Sequence, residues 1–180
     1  MKSKMNQMFE DQKNDHVHIH VLYKYNGIEN YIMQVLSYIQ DGIAAGDYVI
    51  LIENARLYPM IHKELSTRLT KEQMEFIHHV NSLDFYWSSG SYHPPSIADY
   101  FSKTIQPYME KPLHLIEDLE KIVDEAVNLL SFPLICAYDR KKMPDYLKTI
   151  LMETHPYVLM EDDFIVSEQY QPSNVVKKHA

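Results

Sequence analysis

The chain has one cysteine, one tryptophan and four glycines in 180 residues, and too few cations to balance its acids. Each shortage closes off a class of function. A single thiol, Cys136, excludes an intramolecular disulfide and any zinc site built on several cysteines. It sits inside an apolar run, so it is expected to be a buried structural thiol rather than a nucleophile. Glycine is also missing where a phosphate-cradling loop would need it. After the first β-rich stretch the chain reads Lys24-Tyr-Asn-Gly-Ile-Glu-Asn30, without a Gly-Lys-Ser/Thr. A formal net charge of −8 speaks against general nucleic-acid binding, because basic residues cluster only at Arg140 to Lys142 and Lys177 to Lys178. No apolar run approaches the roughly 18–20 residues of a membrane span. The residues up to Asp15 are polar and contain no apolar signal core. The expectation is a cytoplasmic protein with no membrane association. No serine elbow or nucleophile–base–orienter set is visible, so no enzymatic activity is expected.

What is present reads as one α/β domain, a mainly parallel sheet flanked by helices, over residues 16–171. Residues 1–15 read as a flexible arm and 172–180 as a flexible tail. The stretch Pro133-Leu-Ile-Cys-Ala-Tyr-Asp-Arg140 organises the rest. Leu134 to Ala137 are apolar without alternation, as in a strand buried on both faces. The run ends in Tyr138, Asp139 and Arg140, and Pro144 then opens a helix to about Thr154. Earlier strands are expected at His16 to Tyr23, Asp47 to Glu53, Phe76 to Val80 and Leu113 to Ile116. Asp84 to Trp87 is read as extended, leading into the loop Ser88 to Pro95. Helices are expected over Ile28 to Ala45, from Asn54 to about Leu69, from Pro95 to about Glu110 and from about Leu119 to Leu130. Tyr157 to Met160 and Phe164 to Val166 read as a closing strand pair. Helices between strands act as crossovers, which makes the sheet parallel.

Candidate chemistry gathers at strand ends, where open α/β sheets place their ligands. Glu53, Asp84, Glu117 and Asp139 all fall there, and Tyr23, Tyr86, Tyr138 and Arg140 stand near them. Aromatic walls with a few carboxylates suit a small cationic or polar organic ligand. Arg140 would pair with an anionic ligand or with Asp139. The plainer alternative is that these carboxylates cap helices and solvate loops. His16, His18 and His20 share one strand face at alternate positions and are the candidate metal ligands. Their alternative is a polar edge face opposite Val17, Ile19 and Val21. Fourteen tyrosines suit either an interface or the rim of the core.

Six pieces stand out in order along the chain: His18-Ile-His-Val-Leu-Tyr23, Asp41-Gly-Ile-Ala-Ala-Gly46, Tyr86-Trp-Ser-Ser-Gly-Ser-Tyr-His-Pro94, Glu125-Ala-Val-Asn128, Cys136-Ala-Tyr-Asp-Arg140 and His155-Pro-Tyr-Val158. Taken together they resemble the MEDS sensory domain, a family named from methanogen and methylotroph regulators of the DcmR type. The resemblance runs from His16 to Pro172. It implies a degenerate RecA/KaiC-like fold without a functional phosphate loop. It also implies a domain that senses small molecules or relays signals, alone or beside histidine-kinase, anti-sigma or DNA-binding modules. The chain departs from the family between Ile116 and Glu125, where a Gly-Glu-Met-Thr-Trp-like piece is reduced to Ile116-Glu-Asp-Leu119.

The expected function is a non-enzymatic sensory regulator. A ligand at the strand ends would shift the loop Ser88 to Pro95 and alter docking to a signalling protein in trans. That partner would be a histidine kinase, an anti-sigma factor or a transcriptional regulator. Two alternatives stand beside it: a degenerate nucleotide- or metal-binding enzyme using Asp139 and the N-terminal histidines, and a pure protein-interaction adaptor. A homodimer is compatible with each. Cofactor, ligand and pathway are not legible at this level.

Overall fold

The computed structural model describes residues 20–91, 93–108, 113–117, 134–160 and 163–170. The expected arm 1–15, the tail 172–180 and the helix at 119–130 lie outside the described residues. The strands are β1 (His20–Tyr25), β2 (Tyr48–Glu53), β3 (Ile77–Asn81), β4 (Leu113–Glu117), β5 (Leu134–Asp139), β6 (Tyr157–Met160) and β7 (Asp163–Val166). The helices are α1 (Ile28–Ala44), α2 (Tyr58–Ser66), α3 (Lys71–Met74), α4 (Ser82–Tyr86), α5 (Pro94–Ile105) and α6 (Asp145–Thr154).

The strands form one seven-stranded sheet in the order β3-β2-β4-β5-β1-β6-β7. Every neighbouring pair is parallel except β6 with β7. The expected mainly parallel α/β domain is therefore what forms. Its composition explains itself: Val49, Ile50, Leu51 and Ile52 are all buried because helices cover both faces of β2. On one face, Val21, Tyr23, Val49, Leu51, Ile135 and Ala137 meet the apolar stripe of α1, with Ile61 and Leu65 of α2. On the other, Ile50, Ile52, Leu134 and Cys136 meet Phe85 of α4 and Ile97, Phe101 and Ile105 of α5. A smaller cluster joins Leu22 and Val158 to Met143 and to Leu151 of α6.

Helix ends follow local chemistry. After α1, Gly46 takes φ +85°, the Gly46 amide donates to Ile43 O (3.0 Å) and the Asp47 amide to Gly42 O (2.9 Å). That double closure is a Schellman stop. Three expectations need correction. The helix read from Asn54 to Leu69 is split. The Asn54 side chain accepts from the amides of Arg56 and Leu57, both at 3.0 Å, which delays α2 to Tyr58. Thr70 and Gln73 then form a capping box that starts α3. Asp84 to Trp87 is not extended: the Asn81 side chain caps the Leu83 amide at 2.9 Å and turns the chain into α4. The helix from Pro94 ends at Ile105 and passes into a 3-10 turn at Gln106–Tyr108.

Candidate functional site

Adjacent strands β1 and β5 send their chains to opposite faces of the sheet. After β1 the chain enters α1 on one face, and after β5 it enters α6 on the other. Divergence of this kind opens a crevice at the carboxyl ends of the two strands. The structure has a cavity of about 310 Å³ there, within the size range of small-ligand sites. Tyr25, Tyr138 and Asp139 come from the strand ends, and Ile28 from the first turn of α1. Asn54, Arg56 and Leu57 form one wall; Lys142, Met143 and Leu147 form the other.

The walls are held by short-range hydrogen bonds. The Arg140 amide donates to Tyr25 O (2.9 Å), fastening the end of β5 to the end of β1. Asp139 accepts from the Lys141 amide at 3.0 Å and pairs with Lys142 Nζ at 3.5 Å. Beneath the opposite wall, buried Glu53 accepts from Tyr31 Oη (2.5 Å), from the Asn54 amide (2.7 Å) and from Asn54 Nδ2 (2.6 Å). Asn54 in turn shapes the Arg56–Leu57 turn. Behind it, His79 stacks on Tyr58 at 3.5 Å between ring centroids. Arg56, Lys142 and Asp139 line the crevice, so its charged side chains sum to one net positive charge although the chain is acidic, and Lys142 shares its charge with Asp139. Lys24 of β1 is pushed below the usual lysine range by burial and by the charges of Arg140 and Lys148.

The residues singled out from sequence divide into three groups. Tyr138 and Asp139 line the crevice, and Arg140 stands beside it. Tyr23 points into the core with 3% exposure, and Glu53 lies under the wall rather than in it. Asp84 and Tyr86 are on α4 after the edge strand β3, and neither lines the crevice. The side chain of Glu117 is outside the described residues. Asp84 does not join Asp139, because β3 is separated from β5 by β2 and β4. The wall residues Asn54, Arg56, Leu57, Lys142 and Met143 were missed. The only available signal was their position within four residues of a strand end.

Of the histidines proposed for metal binding, His16 and His18 lie outside the described residues. His20 is not on an exposed face; it is 4% exposed. Its Nε2 lies 3.3 Å from Cys136 Sγ, and its ring centroid lies 3.8 Å from that of His155. Cys136 and His155 are equally enclosed, at 0% and 2% exposure. The His155 Nδ1 contacts Leu151 O at 2.9 Å and Thr154 Oγ1 at 3.0 Å. Burial drives the His20 pKa down to about 3, so the ring is neutral. The potential donor atoms of His20, Cys136 and His155 all lie within 4.8 Å of one another.

A family model described as MEDS, the methanogen/methylotroph, DcmR sensory domain, matches residues 19–129. Neither curated proteins nor solved structures yield a match. The matched span takes in Ile19 to Tyr23, Asp41 to Gly46, Tyr86 to Pro94 and Glu125 to Asn128. It stops before Cys136 to Arg140 and His155 to Val158, so the resemblance is narrower than those last two pieces implied. The match covers more than half of the chain, from β1 through β4, and the chain therefore belongs to the MEDS family of sensory domains.

Proposed function

We propose that this chain is a sensory regulator that holds a small organic ligand with an anionic end in the crevice between β1 and β5. It passes the bound state to a signalling protein in trans: a histidine kinase, an anti-sigma factor or a transcriptional regulator. One observation carries the reading: a cavity of about 310 Å³ at the divergence of β1 and β5 combines Arg56 and Lys142 with the aromatic and apolar surfaces of Tyr25, Tyr138 and Met143. The cations suit a carboxylate or similar group, and the apolar surfaces suit a short hydrocarbon body. Sensory family membership supports the same reading.

A cytoplasmic location and a degenerate RecA-like origin belong to this proposal. Supporting the first, no helix among the described residues is long and apolar enough to cross a membrane. Supporting the second, the mainly parallel sheet has its crevice at the carboxyl end of β1, where the chain turns through Asn26-Gly27 into α1. The proposal is also non-enzymatic. Asp139 is engaged by the Lys141 amide and by Lys142, an arrangement suited to positioning charge rather than to moving protons. None of the residues described at 88–91 and 93 lines the crevice, and the Asn54–Leu57 turn and α6, which do supply its walls, are the elements a ligand would bias. It can do so only by binding their two arrangements with different affinity.

Thermal denaturation of the full chain with short aliphatic carboxylates and length-matched alkylammonium ions tests this reading. The carboxylates should raise the melting temperature, and the Arg56→Ala/Lys142→Ala double variant should lose that response. A response confined to the ammonium ions, or one unchanged in the double variant, refutes it. The adaptor reading is favoured by a different feature: Leu83 and Trp87, one turn apart at α4, are 63% and 50% exposed. Loss of partner capture in Trp87→Ala, with capture intact in the crevice variant, would favour that reading.

A further inference from the structure

We propose that His20, Cys136 and His155 form a buried binding site for one thiophilic transition-metal ion, with copper(I) the best match to two imidazoles and one thiolate. The three residues come from separate parts of the fold. His20 opens β1, Cys136 lies in the middle of β5, and His155 follows α6 just before β6. The parallel pairing of β1 with both β5 and β6 is what brings them together. The site is distinct from the crevice. His20 and Tyr25 stand at opposite ends of β1, roughly 16 Å apart along the strand.

The geometry is close to that of a ligand set. With metal–nitrogen and metal–sulfur bonds of about 2.0 and 2.3 Å, an N and an S on one ion stand roughly 3.5 Å apart. His20 Nε2 and Cys136 Sγ are 3.3 Å apart, and all three donors fall within 4.8 Å. A second element of such sites is also in place. Histidines that bind metals usually give their other ring nitrogen to a carbonyl, which fixes the tautomer. The His155 Nδ1 lies 2.9 Å from Leu151 O, which directs Nδ1–H there and puts the lone pair on Nε2.

Softness and burial narrow the ion. A thiolate with two imidazoles selects copper or zinc over magnesium, calcium or manganese, which prefer oxygen. Zinc favours four ligands, whereas the cluster among the described residues supplies three. All three are at most 4% exposed, which leaves little access for a water as the fourth. Three-coordinate copper(I) needs none. Binding would displace the Cys136 thiol proton to solvent and leave a thiolate on the ion. Metal, strands β1 and β5, and the α6–β6 junction would then be joined at one point.

Cys136 is the chain's one thiol, so a thiolate-to-metal charge-transfer band can arise only there. The full, reduced chain should be titrated anaerobically with copper(I), and separately with cobalt(II) as a spectroscopic stand-in for zinc. Each titration should be run on the native protein and after refolding with the metal present. One equivalent should bind with a thiolate charge-transfer band, and copper(I) should outcompete zinc(II) under a common chelator. His155→Ala should weaken copper(I) binding by more than about 100-fold, beyond the loss typical of an outer-shell change. His16→Ala/His18→Ala should leave the band intact. Absence of the band in both preparations overturns the site. So does equal binding by Cys136→Ala, or loss of the band in the His16/His18 variant. Tighter binding of zinc than copper(I) overturns the choice of ion.

Discussion

Tyr31→Phe should be a sharp test of how the crevice wall is built. The substitution removes one oxygen and keeps the ring, which packs on Tyr25 at 4.7 Å between centroids. The lost oxygen donates at 2.5 Å to the Glu53 carboxylate, and the two residues are only 4% and 8% exposed. Hydrogen bonds to charged groups contribute about 1.5–3 kcal/mol, and an unsatisfied buried acceptor loses its full solvation. Tyr31 donates to Oε2, whereas both Asn54 donors sit on Oε1; the substitution takes the donor from Oε2 while the carboxylate stays hydrogen-bonded at Oε1, and a loss of about 2 kcal/mol is expected. Urea unfolding at neutral pH would show this as a midpoint lowered by roughly 1 M at unchanged slope. The melting temperature should fall by about 4–8 °C for a chain of this size. A double-mutant cycle with Glu53→Gln should assign most of the loss to the pair. A stability change below about 0.5 kcal/mol would mean that Glu53 is satisfied without Tyr31 and does not brace Asn54.

Gly27 precedes α1 at φ +89°, ψ +149°, with open space around its absent Cβ. Gly27→Ala should therefore cost about 1–3 kcal/mol through backbone strain alone, measurable by the same urea titration. Leu22→Ala removes a fully enclosed side chain between β1 and α6, and should cost about 2–5 kcal/mol in thermal or urea unfolding. In chelator-treated protein, the folded His20 pKa of about 3 lies below its unfolded value of 6.5. The unfolded chain then binds the extra proton between these values, so stability is fully present above pH 6.5 and declines as pH falls toward 3. His20→Phe should flatten that decline in a pH series of urea midpoints if the fold accepts the ring; an unaltered slope would show that His20 does not carry it.

How much of this was legible depends on the distance over which each feature is decided. β2 and β5 were readable because Tyr48 to Ile52 and Leu134 to Ala137 are continuous apolar runs, and burial on both faces requires nothing else of them. α1 was readable because its apolar residues recur at helical spacing. α4 was misread because Phe85, Tyr86 and Trp87 favour strands, while the deciding group is one side-chain oxygen on Asn81. Tyr138 and Asp139 were legible as crevice residues from their place at a strand end. Asp84 was not separable from them by the same rule, since strand order depends on pairings far apart in the chain. His20 was legible as a candidate metal ligand, but its pairing with Cys136 and His155 left no local trace. His20 and Cys136 are 116 residues apart, and only the completed sheet puts them in contact.

The interior position of β1, between β5 and β6, also governs how the chain is made. Its hydrogen-bonding neighbours, β5 and β6, begin at Leu134 and Tyr157, more than a hundred residues downstream. At about 5–20 residues per second, the ribosome delivers β5 roughly 5–25 s after β1. Throughout that interval Val21, Leu22 and Tyr23, all buried at the end, have no strand to pair with. Locally paired proteins escape this delay; a sheet closed by its first strand does not. The β2–β3 pair can assemble during synthesis, whereas the crevice and the histidine–cysteine cluster come into existence together, when β5 and β6 arrive on either side of β1.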